Sequence, residues 1–454
     1  MRSTELSGGP FGARNVVSIS KLLPSSIGFG QRLSEVLNKV TMSCMIGNAL
    51  EWYDFVIYSY FASLLGNLFF PTSEPFAQMV ATWCIFWAGF IARPLGSILF
   101  GHIGDRFSRK TALMVSIYVM AIPTALIGLL PTYAQIGPMA AVLLFILRTL
   151  QGLAIGGEFT GSMVFMVEHA KPHNRGFAGS FATFSLVAGV IVGSAVATCI
   201  NTCLSEEAVT SWGWRVPFLL SILGSLVGSY MRNSLTDPSE YLAEKSKRKA
   251  HSTPLKDLIQ HYKAKVLLVI GIDFLTAVGF FLIVIFLPTY FSRHLNLSPE
   301  KALWINTISM CLFSVFILMG GWLSDVFGRL WVLALPCVAF IVLSYPLFCL
   351  FQLGQTVPVC IAEFMLVLMM GIYFGAIPAG LSEIFPTHVR FSGLFLGHIL
   401  NMTLFGRSTP LMASYLINYT QSDVSPSYLL MGSAFLTLFS LRFFRRETVL
   451  AKTH

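Results

Sequence analysis

Long apolar runs follow one another down this chain, separated by short polar interruptions. They fall at 41–66, 76–100, 111–131, 138–167, 176–199, 214–231, 265–290, 300–321, 330–352, 357–384, 391–418 and 427–443. Runs of this length match the ~20 residues an α-helix needs to cross a hydrocarbon core of about 30 Å. Membrane β-barrels alternate apolar and polar residues, and these runs do not. The pattern therefore predicts an all-α membrane protein with twelve transmembrane helices. The chain is 55% hydrophobic and 11% charged, whereas soluble domains carry about a quarter charged residues.

The net charge of +9 changes the picture only through its placement. With both termini cytoplasmic and the spans alternating, 24 of the 30 basic residues fall in the N-terminal arm, the inner loops and the tail. Arg215, Arg293 and Lys301 face outward, and Arg93, Arg148 and Arg407 lie within spans. This asymmetry is a positive-inside signal. It predicts a multi-pass protein of the cell inner (cytoplasmic) membrane with both termini cytoplasmic, and it argues against nucleic acid as a partner. The first 40 residues are polar and lack the apolar core of a cleavable signal, so they read as a partly disordered cytoplasmic arm. Most of the eight cysteines lie in apolar runs, where Cys acts as a small hydrophobe. Cys199 and Cys203 sit near an outer loop, where pairing stays open. No cluster of metal ligands and no phosphate-binding G-x-x-x-x-G-K-[ST] loop is evident, so neither a metal, a cofactor nor ATP is expected.

The chain repeats itself. Gly101, Gly104, Asp105, Arg106, Arg109 and Lys110 follow the second run, and Gly321, Asp325, Gly328 and Arg329 follow the eighth, with the aspartates 220 apart. Glu168 and Arg175 follow the fourth run, and Glu383 and Arg390 the tenth, both pairs 215 apart. Asp54 in the first run and Asp273 in the seventh are 219 apart. Three matches near one offset predict two six-helix halves. The expected organisation is an arm at 1–40, a bundle at 41–231, a linker at 232–264, a second bundle at 265–443 and a tail at 444–454.

Two such halves with these loops resemble the major facilitator superfamily, whose best-known signature is the G-x-x-G-D-R-x-x-R-K loop. Four further segments sharpen the likeness: Gly47 to Phe55 with Glu51 and Asp54, Arg93-Pro94 with Gly96, Arg148 to Glu158, and Gly213 to Phe218. Together they resemble the metabolite:proton symporter family, which includes proline/betaine and organic-acid carriers. The resemblance covers about 40–445. It implies an all-α fold of two pseudo-symmetric halves around a midplane site, and proton-coupled symport by alternating access.

Candidate chemistry lies in the ionisable residues. In such families the inner loops latch helices together and release them on switching. Asp105 with Arg175, and Asp325 with Arg390, are expected latch pairs, and Glu168 and Glu383 complete gating networks with Arg106, Arg109 and Arg329. Within the spans, an ionisable group costs about 2.5–3.5 kcal/mol on insertion scales and must face a cavity or a partner. Asp54 is the expected proton carrier, tuned by Arg148, with Glu51 as the second candidate. Buried ion pairs that only fix helix register are the alternative. Arg93, Arg407, Glu158, Asp273 and Glu363 are expected to bind substrate. The depths allow Arg93 to reach Glu51 or Glu158, and Arg407 either a substrate carboxylate or Glu363 and Asp273. His398 reads as a hydrogen-bonded structural histidine. Trp52, Tyr53, Tyr58, Tyr60, Phe280 and Phe281 are candidates for cavity walls, and Pro94, Pro288 and Pro378 for helix breaks.

The expectation is a monomeric transporter, not an enzyme. Its partners are protons, the lipid bilayer and a small polar organic solute: an organic acid, amino acid or betaine. A proton-driven exporter of a drug-like or siderophore-like solute, and a non-transporting membrane sensor, remain as alternatives.

Overall fold

The computed structural model describes residues 29–71, 75–247, 254–295 and 297–450. Most of the expected arm, the centre of the linker and the last four residues lie outside this set. Among the described residues, eight helices are long and apolar enough to cross a membrane. The other four expected spans coincide with helices Lys39–Tyr60, Pro75–Arg106, Arg215–Asn233 and Arg390–Asn401. Lys39–Tyr60 is too polar to qualify by composition, since it carries Glu51 and Asp54 in its second half.

In chain order, α1 is Phe29–Val36, α2 Lys39–Tyr60, α3 Pro75–Arg106, α4 Arg109–Leu129, α5 Met139–His169, α6 Arg175–Cys203 and α7 Arg215–Asn233. Two linker helices come next, α8 (Ser239–Lys247) and α9 (Pro254–His261). The second half holds α10 (Lys263–Phe280), α11 (Pro299–Phe327), α12 (Arg329–Phe351), α13 (Thr356–Ser382), α14 (Arg390–Asn401) and α15 (Pro426–Leu450). This is the twelve-helix, two-half architecture that the repeat predicts.

Local chemistry sets the helix starts. Asn38 caps α2, its Oδ1 accepting from the amides of Val40 at 2.9 Å and Thr41 at 3.1 Å. Ser108 caps α4 by accepting from Thr111 N at 3.0 Å. Each cap satisfies N–H groups that the helix leaves without partners.

Glycine lets the helices within each half touch backbone to backbone. A Cβ on Gly152 of α5 would lie 1.9 Å from the carbonyl oxygen of Gly89 on α3. Its counterpart, a Cβ on Gly375 of α13, would lie 1.9 Å from the carbonyl oxygen of Ile317 on α11. Apolar packing offers helices in lipid little net drive, so close approach of this kind carries much of the association.

Two sequence expectations are corrected here. Pro94 and Pro378 do not break helices; α3 and α13 run through them. In hydrocarbon, interrupting a helix leaves more backbone groups bare than the one hydrogen bond that proline removes. The breaks fall elsewhere. Wide π-helical turns at Phe281–Phe286 and Met402–Gly406 interrupt the seventh and eleventh spans, with Pro288 just beyond the first. Within the described part of the linker, Tyr241 of α8 and Leu258 of α9 are buried. Arg32, assigned to the arm, and Arg232, assigned to the inner loops, are also buried.

Candidate functional site

A cavity of about 40 Å³ lies between the halves at mid-height of the bundle. Glu51 of α2, Arg93 of α3 and Arg407, just after the second wide turn, give it charge. Trp52, Phe280 and Phe374 give it aromatic walls. Glu51 interacts electrostatically with both arginines, and the arginines with each other. The guanidinium of Arg93 lies 6.0 Å from the Phe55 ring. Phe280 stacks on Phe374 at 5.7 Å and meets Trp52 edge-on at 5.8 Å. The wide turn before Arg407 adds a residue per turn and re-aims the side chains beyond it, a frequent use of such bulges at functional positions.

Beside the cavity a second polar system runs through the first half. Arg148 donates to Gln151 Oε1 at 2.8 Å, Gln151 Nε2 donates to Thr124 Oγ1 at 2.6 Å, and Thr124 donates to Asp54 Oδ2 at 2.7 Å. Arg148 also lies over the Tyr58 ring at 3.9 Å, a cation–π contact. Asp54 and Arg148 are thus joined through two intervening side chains, all four of them buried. Sequence reasoning missed Gln151 and Thr124. Gln151 carried a signal, since it sits three residues from Arg148 and so on the same helix face.

The structure separates three expected substrate residues from the cavity. Glu158 pairs with Arg232 and accepts from Ser116 at 2.6 Å and Ser162 at 3.1 Å, which locks it between α4, α5 and α7. Arg93 therefore faces Glu51, not Glu158. Asp273 sits behind the wall, accepting from His398 at 2.8 Å and from Asn401 at 3.0 Å. His398 itself lines the cavity and packs at a tilt against Phe159, ring centroids 5.4 Å apart. Glu363 lies on α13 near Ser309 of α11, outside the cavity lining. Arg407 accordingly shares the cavity lining with Glu51, while Glu363 and Asp273 lie outside it.

The loop-motif end is held by charge. Asp105 pairs with Arg109 at 2.9 Å and accepts from the first amides of α14, Phe391 at 3.2 Å and Ser392 at 2.8 Å. Asp325 mirrors it, pairing with Arg329 at 2.7 Å and accepting from Gly176 and Phe177 of α6, both at 2.8 Å. Each aspartate thus completes the start of a helix in the other half. Arg109 reaches Glu168 at 2.7 Å, Arg390 reaches the same carboxylate at 2.7 Å, and Arg329 lies 3.3 Å from Glu383.

The expected latch pairs differ. Arg175 pairs with Glu240 of α8, not with Asp105, and Arg390 pairs with Glu168, not with Asp325. A residue one helix turn away, Arg109 or Arg329, takes each aspartate instead. Arg106 is exposed, over the Phe107 ring, and stands apart from the network. Asp237 was also missed; it accepts from Ser108 at 3.1 Å and from the Lys110 amide at 2.9 Å at the start of α4.

A family model described as Major Facilitator Superfamily matches residues 44–390 and 269–453. The chain belongs to the major facilitator superfamily. It is a multi-pass membrane transporter rather than an enzyme. The glycine betaine/proline/ectoine/pipecolic acid transporter OusA of Dickeya dadantii is 32% identical over 91% of this chain and 84% of its own. The citrate-proton symporter of Klebsiella pneumoniae is 31% identical over 93% of this chain and 94% of its own. Among solved structures, the proton:xylose symporter XylE bound to 6-bromo-6-deoxy-D-glucose matches with a TM-score of 0.75 at 16% identity, covering 91% of this chain and 96% of its own. In this major facilitator the signature loop and its repeat are the two aspartate caps, and the central cavity lies where the halves face each other. Cys199 and Cys203 stay unbonded, with Sγ atoms 3.8 Å apart.

Proposed function

We propose that this transporter carries a small polar organic solute into the cell by proton symport, with Asp54 as the proton carrier and Arg148 holding its ionised form. The observation behind this reading is the buried chain Asp54–Thr124–Gln151–Arg148. A carboxylate joined to a cation by movable hydrogen bonds can exchange a proton when a small helix shift breaks the chain. The relatives that transport proline, betaines and citrate support a polar organic cargo. The positive-inside count supports an inner-membrane protein with both termini cytoplasmic. On that orientation the aspartate caps close the cytoplasmic end. The chain divides into bundles at 41–231 and 265–443 joined by the linker at 232–264, and works as a monomer without nucleic acid.

The test uses purified transporter in liposomes with a trapped pH dye. Adding proline, glycine betaine or citrate outside acidifies the lumen for one class, and Asp54→Asn abolishes that acidification while leaving solute exchange across the membrane. Solute uptake with no acidification, or acidification undiminished in Asp54→Asn, overturns the reading.

A further inference from the structure

Cys199 and Cys203 span the last turn of α6, four residues apart. Residues at that spacing are neighbours on one face of a helix. Both thiols are exposed, and their sulfurs lie 3.8 Å apart. The helix has 29 residues. At ~1.5 Å per residue it runs about 43 Å, whereas the hydrocarbon core is about 30 Å thick. Its ends therefore stand outside hydrocarbon. The residues around the pair agree, since Asn201, Thr202, Ser205, Glu206 and Glu207 are polar and exposed. On the orientation proposed above, this end faces the outside of the cell, where oxidising conditions favour disulfides.

A regular helix resists that outcome. Side chains four apart hold their Cβ atoms about 5–6 Å from each other, and a disulfide needs about 3.5–4.5 Å. Closing the bond would distort the turn, in which the Leu204 amide donates to the Ile200 carbonyl at 3.2 Å and Asn201 Nδ2 to the Ala197 carbonyl at 2.8 Å. A metal ion bridges the pair without that distortion. Two sulfurs bound at about 2.3 Å to a tetrahedral ion stand about 3.8 Å apart, the separation already present. Two ligands four residues apart on a helix are a spacing that zinc sites use. The C-terminal end of a helix carries partial negative charge, and Glu206 and Glu207 follow at once in sequence, so a cation is favoured here.

We infer that Cys199 and Cys203 form a two-thiolate site for a soft metal ion of the zinc and cadmium class at the outer end of α6. The sulfurs supply half of a tetrahedral shell and water completes it. Thiolates select such ions over magnesium and calcium. A bound ion ties the start of the last turn to its end and holds it against fraying. In the sequence the eight cysteines read as scattered small hydrophobes, because only the helix sets two of them on one face. The site stands whether or not the protein couples to protons; only its side of the membrane follows from the orientation above.

The test titrates Cd(II), a zinc surrogate whose thiolate bonds absorb in the ultraviolet, into the reduced, detergent-purified full chain. The first ion binds with a thiolate-to-metal absorption band. Zn(II) displaces it, and a large excess of Mg(II) does not. Cys199→Ser and Cys203→Ser each weaken Cd(II) binding by about tenfold or more, since disturbing even a supporting group costs a metal site that much. Cys311→Ser and Cys360→Ser, at exposed thiols elsewhere, leave affinity and band unchanged. Serine is close to cysteine in size and both positions are exposed, so the variants melt like the parent protein. Cd(II) also slows amide exchange over residues 201–204 in the parent protein and not in Cys199→Ser. Undiminished binding in either serine variant, displacement by Mg(II), or unchanged exchange over 201–204 each overturns the inference. So does a Cys199–Cys203 disulfide found by mass spectrometry in the protein before reduction.

Discussion

Arg390 and Glu168 belong to different halves of the molecule, and Nη1 of one lies 2.7 Å from Oε1 of the other. Glu168 also holds Arg109, so a single carboxylate ties its own half to its partner. Breaking one member of a buried ion pair strands the rest, at a cost of about 3–5 kcal/mol. Arg390→Ala therefore shifts the population toward a state open at the loop-motif end. A cysteine placed at Ile399 in the cavity wall becomes reactive to a membrane-impermeant maleimide from that end. Unchanged reactivity in Arg390→Ala refutes the assignment.

The aspartate caps give a second prediction. Each of Asp105 and Asp325 accepts two backbone N–H groups with two oxygens. Asparagine retains one acceptor and loses the charge, which costs about 0.5–2 kcal/mol at a helix start. Either Asp→Asn variant folds and yet transports slowly, and maleimide reactivity of the same cysteine rises less than in Arg390→Ala. Full transport rates in both variants contradict the capping role.

A third prediction concerns pH and α1, outside the membrane. Glu35 bonds Lys171 at 2.9 Å and Asn174 at 2.9 Å, with His173 at 3.6 Å. The hydrogen bond from Lys171 is the main influence holding its carboxyl below the ordinary value of 4.5. A depressed carboxylate stabilises the docked form above its unfolded value, and that stabilisation is lost as pH falls through the folded one. The protection of the α1 amides, taken relative to the intrinsic exchange rate at each pH, therefore falls on acidification below 4.5, and Glu35→Gln shows the lower protection already at neutral pH. Equal exchange in the two proteins at pH 7 counts against this docking.

The α3–α5 seam supplies a fourth. A methyl group on Gly152 would meet the Gly89 backbone, which cannot rotate away as a side chain could. Gly152→Ala forces the helices apart and destabilises by about 1–3 kcal/mol, the usual range for overpacking. Gly432→Ala, with nothing within 4 Å of the added carbon, is the control. Thermal unfolding in detergent separates them: Gly152→Ala melts earlier and Gly432→Ala does not.

The sequence made legible whatever hydrocarbon imposes. Apolar length gave the spans, and the matched offsets of Asp105 with Asp325 and Glu168 with Glu383 gave two halves. The residues of the loop motifs were recognised as a set, but their partners were not. Asp105 pairs with Arg109 rather than Arg175 because α3 ends beside the start of α4, a proximity that depth along the membrane does not encode. Depth likewise put Arg93 near both Glu51 and Glu158. The choice was made sideways, by Arg232 arriving from α7 to take Glu158. Glu363 and Asp273 looked like cavity residues because a buried charge needs a reason. Asp273 finds that reason in His398 and Asn401 instead. Arg407 lines the cavity, but its aim depends on a wide helical turn that no periodicity announces.

The reciprocal caps have a consequence for how the molecule is built. The first helical turn of α6 is finished by an aspartate 148 residues or more further on, and that of α14 by one 286 residues or more earlier. Each half leaves one helix start for the other to complete, α6 in the first half and α14 in the second. A ribosome that has made only the first half leaves α6 with bare amides until α11 arrives, so the early half waits for the late one before its end is complete. Gene fragments encoding the two halves separately would be expected to rescue each other when expressed together, and to be degraded when expressed alone.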